Sequence, residues 1–552
     1  MAARPLLITA LLCLGLSLSA CGPQRATRQP CPAGARCLEF GNTADPISLD
    51  PQIATAINES EILRELFDGL YTDADDGTPR LGVAQSAETS ADGLVWTLHL
   101  RPETWSDGVP LTANDFVFAY QHMLDPKTGS SYAYMLYVLK NGEKVNNGAP
   151  AESLGVKALD DETLQLTLEH AAPYLPQLLK HQAFFPIPEH TVRKLGGAWS
   201  KPGRMVSNGP YALVEWSLGD HVRIQKNPLY QGGAKLCFDD VDFYPTQDPT
   251  TAERRVERGE LDINAGIQSN KVASLRANPA KAPFVHSHPY LSLTYVIFNR
   301  RDVPALKDLR VRQAISMAFD RRFITDKLLR AGQLPTTAFV PPGIAGYLPP
   351  GVARPKPSWG DWPLARRQTE ARRFLAAAGF GPGHPLRLQF KTFSSPTSLL
   401  LAESLTSDLK SVGVELSIRQ EDGIVALQSF EIRDFQIGAV GWIADFDDPM
   451  TYLGLMRSDT GAQNYGDFKK PAYDALLDKA DHEPNAIVRA GYMAQAEQMI
   501  LDDADVAPLV VGVNLNLVNP HITGWVDNDT DIHPIRDLCR NDAAPGGTNL
   551  AR

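Results

Sequence analysis

The sequence predicts a mixed α/β protein of several domains, and three observations carry that expectation. The stretch "PLRLQFKTF" (385 to 393), a helical run from Ser398 to Lys410 and "VELSIRQ" (414 to 420) follow one another as strand, helix and strand, the unit that builds parallel sheet. The segments "LVWTLHL" (94 to 100) and "LQLTLE" (164 to 169) alternate apolar and polar residues with the period of two that marks half-buried strands. At 552 residues the chain far exceeds the usual domain of roughly 100 to 200, so three or four domains or subdomains are expected.

The other elements follow from the same periodicities. Between the two alternating strands, "TANDFVFAYQHML" predicts a helix capped by Thr112, with Phe116, Val117, Tyr120 and Leu124 at helical spacing. In "LRVRQAISMAFDRRFITDKLL" (309 to 329), Val311, Ile315, Phe319 and Phe323 recur four apart beside Ala314 and Ala318. That predicts one core-facing helix whose arginines form a solvated opposite face. "TYVIFN" and "FQIGAVGW" read as strands, and "AYDALLDKADH" and "VRAGYMAQAEQMILDD" as helices near the end. The Pro-rich "FVPPGIAGYLPPGVARPKPSWGDWP" (339 to 363) reads as one long surface excursion. No internal repeat appears.

Composition excludes some classes of function. Hydrophobic content of 43% and charged content of 21% are those of a soluble globular protein, and the mature chain has no run near the ~20 apolar residues of a membrane span. A net charge of −11 argues against nucleic acid as a partner, since binding a polyanion takes a basic face.

Residues 1–20 have the order of an export signal: Arg4, the short apolar run "LLITALLCLGLSLSA", then Cys21. "LSAC" puts Leu18 at −3, Ala20 at −1 and cysteine at +1, which resembles the lipobox of bacterial lipoproteins. The resemblance implies cleavage before Cys21, acylation of that residue, and a mature protein held at a membrane by lipid, each buried methylene contributing about 0.8 kcal/mol. Residues 21–36, including "RATRQPCPAGAR", then form a lipidated tether without regular structure.

Cys13 leaves with the signal, so Cys31, Cys37, Cys237 and Cys539 remain in an oxidising compartment. Four cysteines allow three pairings. The spacing of "CPAGARC" permits a local Cys31 to Cys37 bridge, and Cys237 would then meet Cys539 if the two chain ends share a domain. No CxxC or Cys/His pair has metal spacing, so disulfides are favoured and no metal is expected.

Catalytic signatures are absent: there is no GxSxG, HExxH, Walker A or Rossmann glycine pattern. No catalytic residue and no cofactor is expected. One stretch does concentrate charge, "AVGWIADFDDPMTYL" (439 to 453), with Asp445, Asp447 and Asp448 ahead of Pro449. Its spacing matches no EF-hand loop.

From about Cys37 onward the chain resembles the periplasmic oligopeptide-binding proteins, the dipeptide/oligopeptide class of ABC-transporter solute receptors. The likeness rests on stretches in the family's order: "PISLDPQIA", "LFDGLY", "WTLHLRPETWSDGVPLTANDFVFAYQHMLDP", "VSNGPYALVEW", "RIQKNPLY", "RGELDI", "LRVRQAISMAFDRR" and "GWIADFDDPMTYL". It implies a two-lobed periplasmic-binding-protein-like fold with an additional domain on the first lobe. The expected layout is lobe I from 37–68, 172–284 and 514–552 with the tail, an extra domain at 69–171, and a later lobe at 285–513. Cys37, Cys237 and Cys539 then share a lobe, which makes a Cys237 to Cys539 bridge geometrically reasonable.

The resemblance also implies the site. The aspartate of the "GW.AD" stretch, here Asp445, pairs with the free α-amino group of a bound peptide. Trp442 forms a wall, and the backbone of Gly441 and Ile443 pairs with the ligand's extended main chain. Asp447 and Asp448 fall to the turn before Pro449, where aspartates bond nearby amides. The plainer alternative makes Trp442 a core aromatic and Asp445 a turn residue. Tyr132 falls where the family's extra domain reaches the ligand, and Thr55 and Ile57 fall in the first-lobe segment that lends backbone to it. Two departures stand out. Thr397, Phe430, Ala439 and Leu329 occupy the places where relatives set basic side chains for the ligand's carboxylate, so a shifted residue such as Arg330, or a cell-wall peptide without that terminus, enters consideration. Leu291 and Ile443 stand where relatives have a disulfide. The partners so implied are a peptide, a membrane ABC permease complex and a membrane reached through the lipid anchor, with the protein a monomer in the periplasm or on the outer face of a bacterial membrane.

Overall fold

Period-two alternation and β-branched residues build one long sheet, and the order of its strands creates the two lobes. The computed structural model describes residues 31–541, apart from 33, 233–235 and 350. The expected signal peptide, the start of the tether and Cys21 lie outside the described residues. Eleven strands form the main sheet, in the order Tyr211–Ser217, His221–Lys226, Asp240–Tyr244, Cys37–Gly41, Ile263–Ala265, Val506–Val518, Val285–Phe298, Ile437–Ile443, Leu386–Phe393 and Val414–Glu421, with Leu334–Pro335 paired to Val506–Val518.

Two strands run through both lobes. Val285–Phe298 and Val506–Val518, of 14 and 13 residues, pair antiparallel, and their register breaks between Pro289 and Leu293. On one side of that break lie the strands drawn from the beginning and middle of the chain. On the other lie those of the later half. The strand, helix and strand unit is present: Leu386–Phe393 and Val414–Glu421 are parallel in register, joined by the helix Pro396–Ser411, whose N-cap Ser395 accepts the N–H of Ser398. The later lobe buries both faces of its sheet. Leu293, Tyr295, Ile297 and Val440 point into one core, while Val296, Phe298, Ile437 and Ala439 point into a second, as side-chain alternation along a strand requires.

The segments "LVWTLHL" and "LQLTLE" become Val95–Leu100 and Thr163–Thr167, adjacent in a four-stranded antiparallel sheet with Ala84–Thr89 and Val156–Asp160. The helix Ala113–Leu124 packs on this sheet, its entry held by the Asp115 carboxylate accepting the Thr112 N–H at 2.9 Å. Phe116, Tyr120 and Leu124 are fully buried in a core shared with Ile62, Leu66 and Phe67, so this domain is welded to the first lobe. Cys31 is bonded to Cys37, and Cys237 to Cys539, with Cα separations of 5.9 and 5.2 Å. The second bridge ties the strand-rich middle of the first lobe to the chain's last strand.

Two expectations need correction. The stretch 309 to 329 is not one helix: Leu309–Ala318 ends at Phe319 in an extended conformation, and the chain restarts at Arg321–Phe323 and Ile324–Leu329. Its arginines are not one solvated face. Arg312 is buried and donates to the carbonyls of Leu306, Lys307 and Asp503, and buried Arg321 donates to Pro508 and Ser316. A guanidinium has five donors, so it closes off carbonyls at element ends, and periodicity cannot register that use. Phe323 is exposed. Nor is the Pro-rich stretch a mere surface excursion, because Phe339, Val340, Ile344, Tyr347 and Trp359 are buried. Fully buried Glu497 anchors it, accepting the N–H groups of Phe339 and Val340 at 2.7 and 2.9 Å and the Tyr347 hydroxyl.

Candidate functional site

The strand Ile437–Ile443 brings the candidate residues to an open edge. Trp442 stands opposite Leu293, and the Ala444 N–H donates to the Leu291 carbonyl at 2.8 Å. In an antiparallel ladder the residues alternate, so Val440, Trp442 and Ala444 turn their backbone groups toward Val285–Phe298. Gly441 and Ile443 turn theirs to the opposite edge. On that edge, pairing with Leu386–Phe393 ends at Gly438. Gly441 and Ile443 are both exposed, and the space beside Gly441 is open enough that an added Cβ would meet only the Leu293 carbonyl, at 3.9 Å. Ile443 faces Ser292 across the ladder.

Asp445 follows the strand. Its backbone N–H donates to Thr451 Oγ1 at 3.1 Å, and the same hydroxyl lies 3.4 Å from Trp442 Nε1, so one threonine sets both the wall and the carboxylate. The Asp445 carboxylate is half-buried, and its one side-chain partner among the described residues is Tyr134, whose hydroxyl donates to Oδ2 at 2.9 Å. Desolvation pushes this carboxyl up from 3.8 to about 6, with the Tyr134 bond acting in the opposite sense. No cation faces it.

Tyr134 belongs to the extra domain, so this bond joins the later lobe to the other half of the molecule. Further contacts close the same gap. Tyr174 stacks on Phe446 with ring centroids 5.4 Å apart, Arg489 lies 5.2 Å over the Tyr174 ring, and the rings of His170 and His482 are 6.1 Å apart. The lobes are therefore closed on each other around Asp445.

The three aspartates go three ways, so they do not converge on a cation. Asp448 is buried in a two-bond pair with Arg489 (2.6 and 2.9 Å) and also accepts the Met450 N–H at 3.0 Å, a turn bond of the expected kind. Asp447 departs from the turn. It accepts the N–H of Ala345 at 2.8 Å and so holds the Pro-rich segment against the site.

The remaining candidates are placed as follows. Tyr132 aims its hydroxyl at the Thr55 carbonyl at 3.5 Å and meets the His181 ring edge-on at 5.0 Å, while its neighbour Tyr134 reaches Asp445. Sequence reasoning missed Tyr134 because "SSYAYMLY" offers three tyrosines and one 3-10 turn, Ala133–Val138, decides which points where. Thr55 has its N–H taken by Glu59 at 2.9 Å, part of a set in which that carboxylate also holds the N–H groups of Ile47, Ser48 and Ala56. Its backbone is thus already engaged. Ile57 opens the helix Ile57–Leu66, where N–H groups lack an intrahelical acceptor, and its side chain is exposed. Phe430 and Ala439 are buried in the later lobe's cores, and Arg330 is exposed in the left-handed region with φ 60°.

Comparison with known proteins accords with this architecture. The family model described as "Bacterial extracellular solute-binding proteins, family 5 Middle" matches residues 78–464. The periplasmic oligopeptide-binding protein OppA of Salmonella typhimurium is 32% identical over 530 residues, covering 94% of this chain and 96% of that protein. The solved structure of the Escherichia coli murein tripeptide binding protein MppA is similar with a TM-score of 0.82 and 31% identity, covering 92% of this chain and 99% of that one. The unliganded open form of MppA, with the same identity and covering 92% and 98%, scores 0.74, in keeping with the closed lobes seen here. With a match across more than half its length and a relative aligned almost end to end, the chain belongs to family 5 of the bacterial extracellular solute-binding proteins.

Proposed function

We propose that this protein is an extracytoplasmic receptor that captures peptides between its lobes and delivers them to a membrane ABC permease, with no chemistry of its own. One observation carries the reading: a half-buried carboxylate, Asp445, pushed up to about 6 with no cation beside it, stands at the end of an unpaired strand edge between two closed lobes. An extended peptide offers what both features lack. Its main chain pairs with the backbone of Gly441 and Ile443, which is strand addition to a free edge, and its α-ammonium neutralises Asp445. Trp442 walls the site, Tyr132 bounds it from the extra domain, and Thr55 and Ile57 bound it from the first lobe.

The same carboxylate supplies a reason for the lobes to move. With the lobes closed its ionised form is poorly solvated, and opening returns it to water. A cationic ligand removes that penalty and so favours the closed shape by its differential affinity. The similar proteins named for oligopeptides and for murein tripeptide support a peptide as the ligand class. A cell-wall peptide is the second reading, favoured by the uncharged Thr397, Phe430, Ala439 and Leu329 where relatives meet a free carboxylate. The protein works as a monomer, anchored by lipid at Cys21.

Mass spectrometry of the small molecules released from protein purified without denaturation tests this. Peptides with free amino termini are expected. Release of a non-peptide solute alone, or steady hydrolysis of a peptide mixture by the pure protein, overturns the reading.

A further inference from the structure

A second polar constellation, which shares no residue with the Asp445 site, lies beside the strand that passes between the lobes. His288 precedes Pro289, where the register of Val285–Phe298 breaks, and Asp531 and His533 come from the loop that follows the last long strand. These three side chains each bring one ligand atom to within 4.8 Å of the others.

Their hydrogen bonds leave ligand atoms to spare. His288 directs Nδ1 at the Pro289 carbonyl, 2.9 Å away, so Nδ1 carries the proton and Nε2 keeps its lone pair. That Nε2 is buried with no hydrogen-bond partner, the nearest Asp527 oxygen being 3.9 Å away. His533, with a side chain only 5% exposed, sets Nε2 3.1 Å from Asp531 Oδ1 and leaves Nδ1 buried and unpartnered. A buried ring nitrogen without a partner costs free energy, and here two occur in one place. Asp531 is itself oriented, since the Asn516 amide donates to Oδ1 at 2.7 Å.

The surroundings are acidic and rigid. Asp527, Asp529 and Asp531 have no Lys or Arg within salt-bridge distance among the described residues. Asp527 is bonded to His286 and Trp525. The Trp525 indole stacks on the His533 ring with centroids 3.6 Å apart. Asn528 clasps the loop, its side-chain oxygen accepting from the Thr530 N–H and hydroxyl and from the Ile532 N–H, and its amide donating to the Asp75, Val526 and Ile532 carbonyls.

We propose that His288, Asp531 and His533 form a binding site for a divalent transition cation of the zinc class. Two imidazoles and a carboxylate are a donor set that zinc accepts, with the fourth position left to water. Tetrahedral zinc with bonds of about 2.0 to 2.1 Å holds its ligand atoms roughly 3.3 Å apart, so side-chain rotations of about 1 Å close the set. The Nδ1 bond of His288 to a backbone carbonyl is the outer contact that metal-bound imidazoles generally have. The bound ion would tie the interlobe strand to the C-terminal loop. The sequence hides this set because 243 positions of chain separate His288 from Asp531.

Zinc titration of the metal-stripped, untagged mature chain tests the proposal, followed by calorimetry and by the visible ligand-field bands of the cobalt(II) form. One ion per chain is expected, with four-coordinate nitrogen and oxygen bands for cobalt. His288→Gln, His533→Gln and Asp531→Asn should each weaken zinc by at least roughly tenfold with unchanged circular dichroism. Absence of a one-to-one ion in the unaltered protein, or zinc affinity in His288→Gln and His533→Gln equal to that of the unaltered protein, overturns the proposal. The cobalt spectrum of the unaltered chain decides the matter even if a variant fails to fold.

Discussion

Replacing Asp445 by asparagine keeps the shape of the side chain and removes the charge. The structure sets the size of the effect. With the lobes closed, burial raises this carboxyl from 3.8 to about 6. At 1.36 kcal/mol per unit, ionising it there costs about 3 kcal/mol, order of magnitude. A peptide ammonium that restores an ordinary carboxylate recovers that amount, and a buried ion pair stripped of one partner loses about 3 to 5 kcal/mol. Asp445→Asn should therefore weaken peptides with a free amino terminus by about two to four orders of magnitude and leave N-acetylated peptides nearly unchanged. The pH dependence has a definite sign. A raised carboxyl pKa favours the neutral acid in the empty site, while the ammonium binds the anion. Affinity is then full above about pH 6 and falls as pH drops through it, by up to roughly tenfold per unit. Calorimetry with matched free and acetylated peptides between pH 5 and 7.5, on both proteins, reads all of this. Asp445→Asn binding the free peptide as tightly as the unaltered protein does, or a pH profile that the substitution leaves intact, refutes the reasoning.

Other outcomes follow from neighbouring contacts. Tyr134→Phe removes the 2.9 Å bond that holds the Asp445 pKa down, so the acid midpoint of peptide affinity should move to higher pH; an unchanged midpoint would place the hydroxyl elsewhere in the working molecule. Arg489→Ala leaves Asp448 buried and unpaired and should cost about 3 to 5 kcal/mol in urea unfolding of the later lobe, whereas a loss below about 1 kcal/mol would mean the pair is solvated. The Cys237→Ser/Cys539→Ser variant opens a loop of 302 residues and should lose about 5 to 6 kcal/mol on the chain-entropy account, seen as a lower thermal midpoint of the first lobe.

Local pattern made much of the fold legible. The strand, helix and strand unit at 386 to 421 and the alternating pair at 95 to 100 and 163 to 167 appear almost as read, because each needs only a neighbour of the same period. The helix over 309 to 329 failed for the opposite reason. Its arginines serve carbonyls of segments distant in sequence, Asp503 and Pro508 among them, and no periodicity encodes such partners. The Pro-rich segment misled likewise, since its anchor, Glu497, is one polar residue within a helix some 150 residues away. At the site, "GWIAD" pointed to a strand edge followed by a carboxylate, and the register placed Gly441 and Ile443 on the open side. The choice of Tyr134 over Tyr132 rested on the direction of a single 3-10 turn.

Sequence by itself determined most of the element types, the cysteines available to bridge and the chemistry available around residue 445, because these depend on side-chain period and residue identity. Tertiary structure decided which groups meet: Tyr134 with Asp445, Asp448 with Arg489, and His288 with Asp531 and His533. Burial, and with it the cost of an unpaired charge, exists only once distant segments have excluded water from the same space.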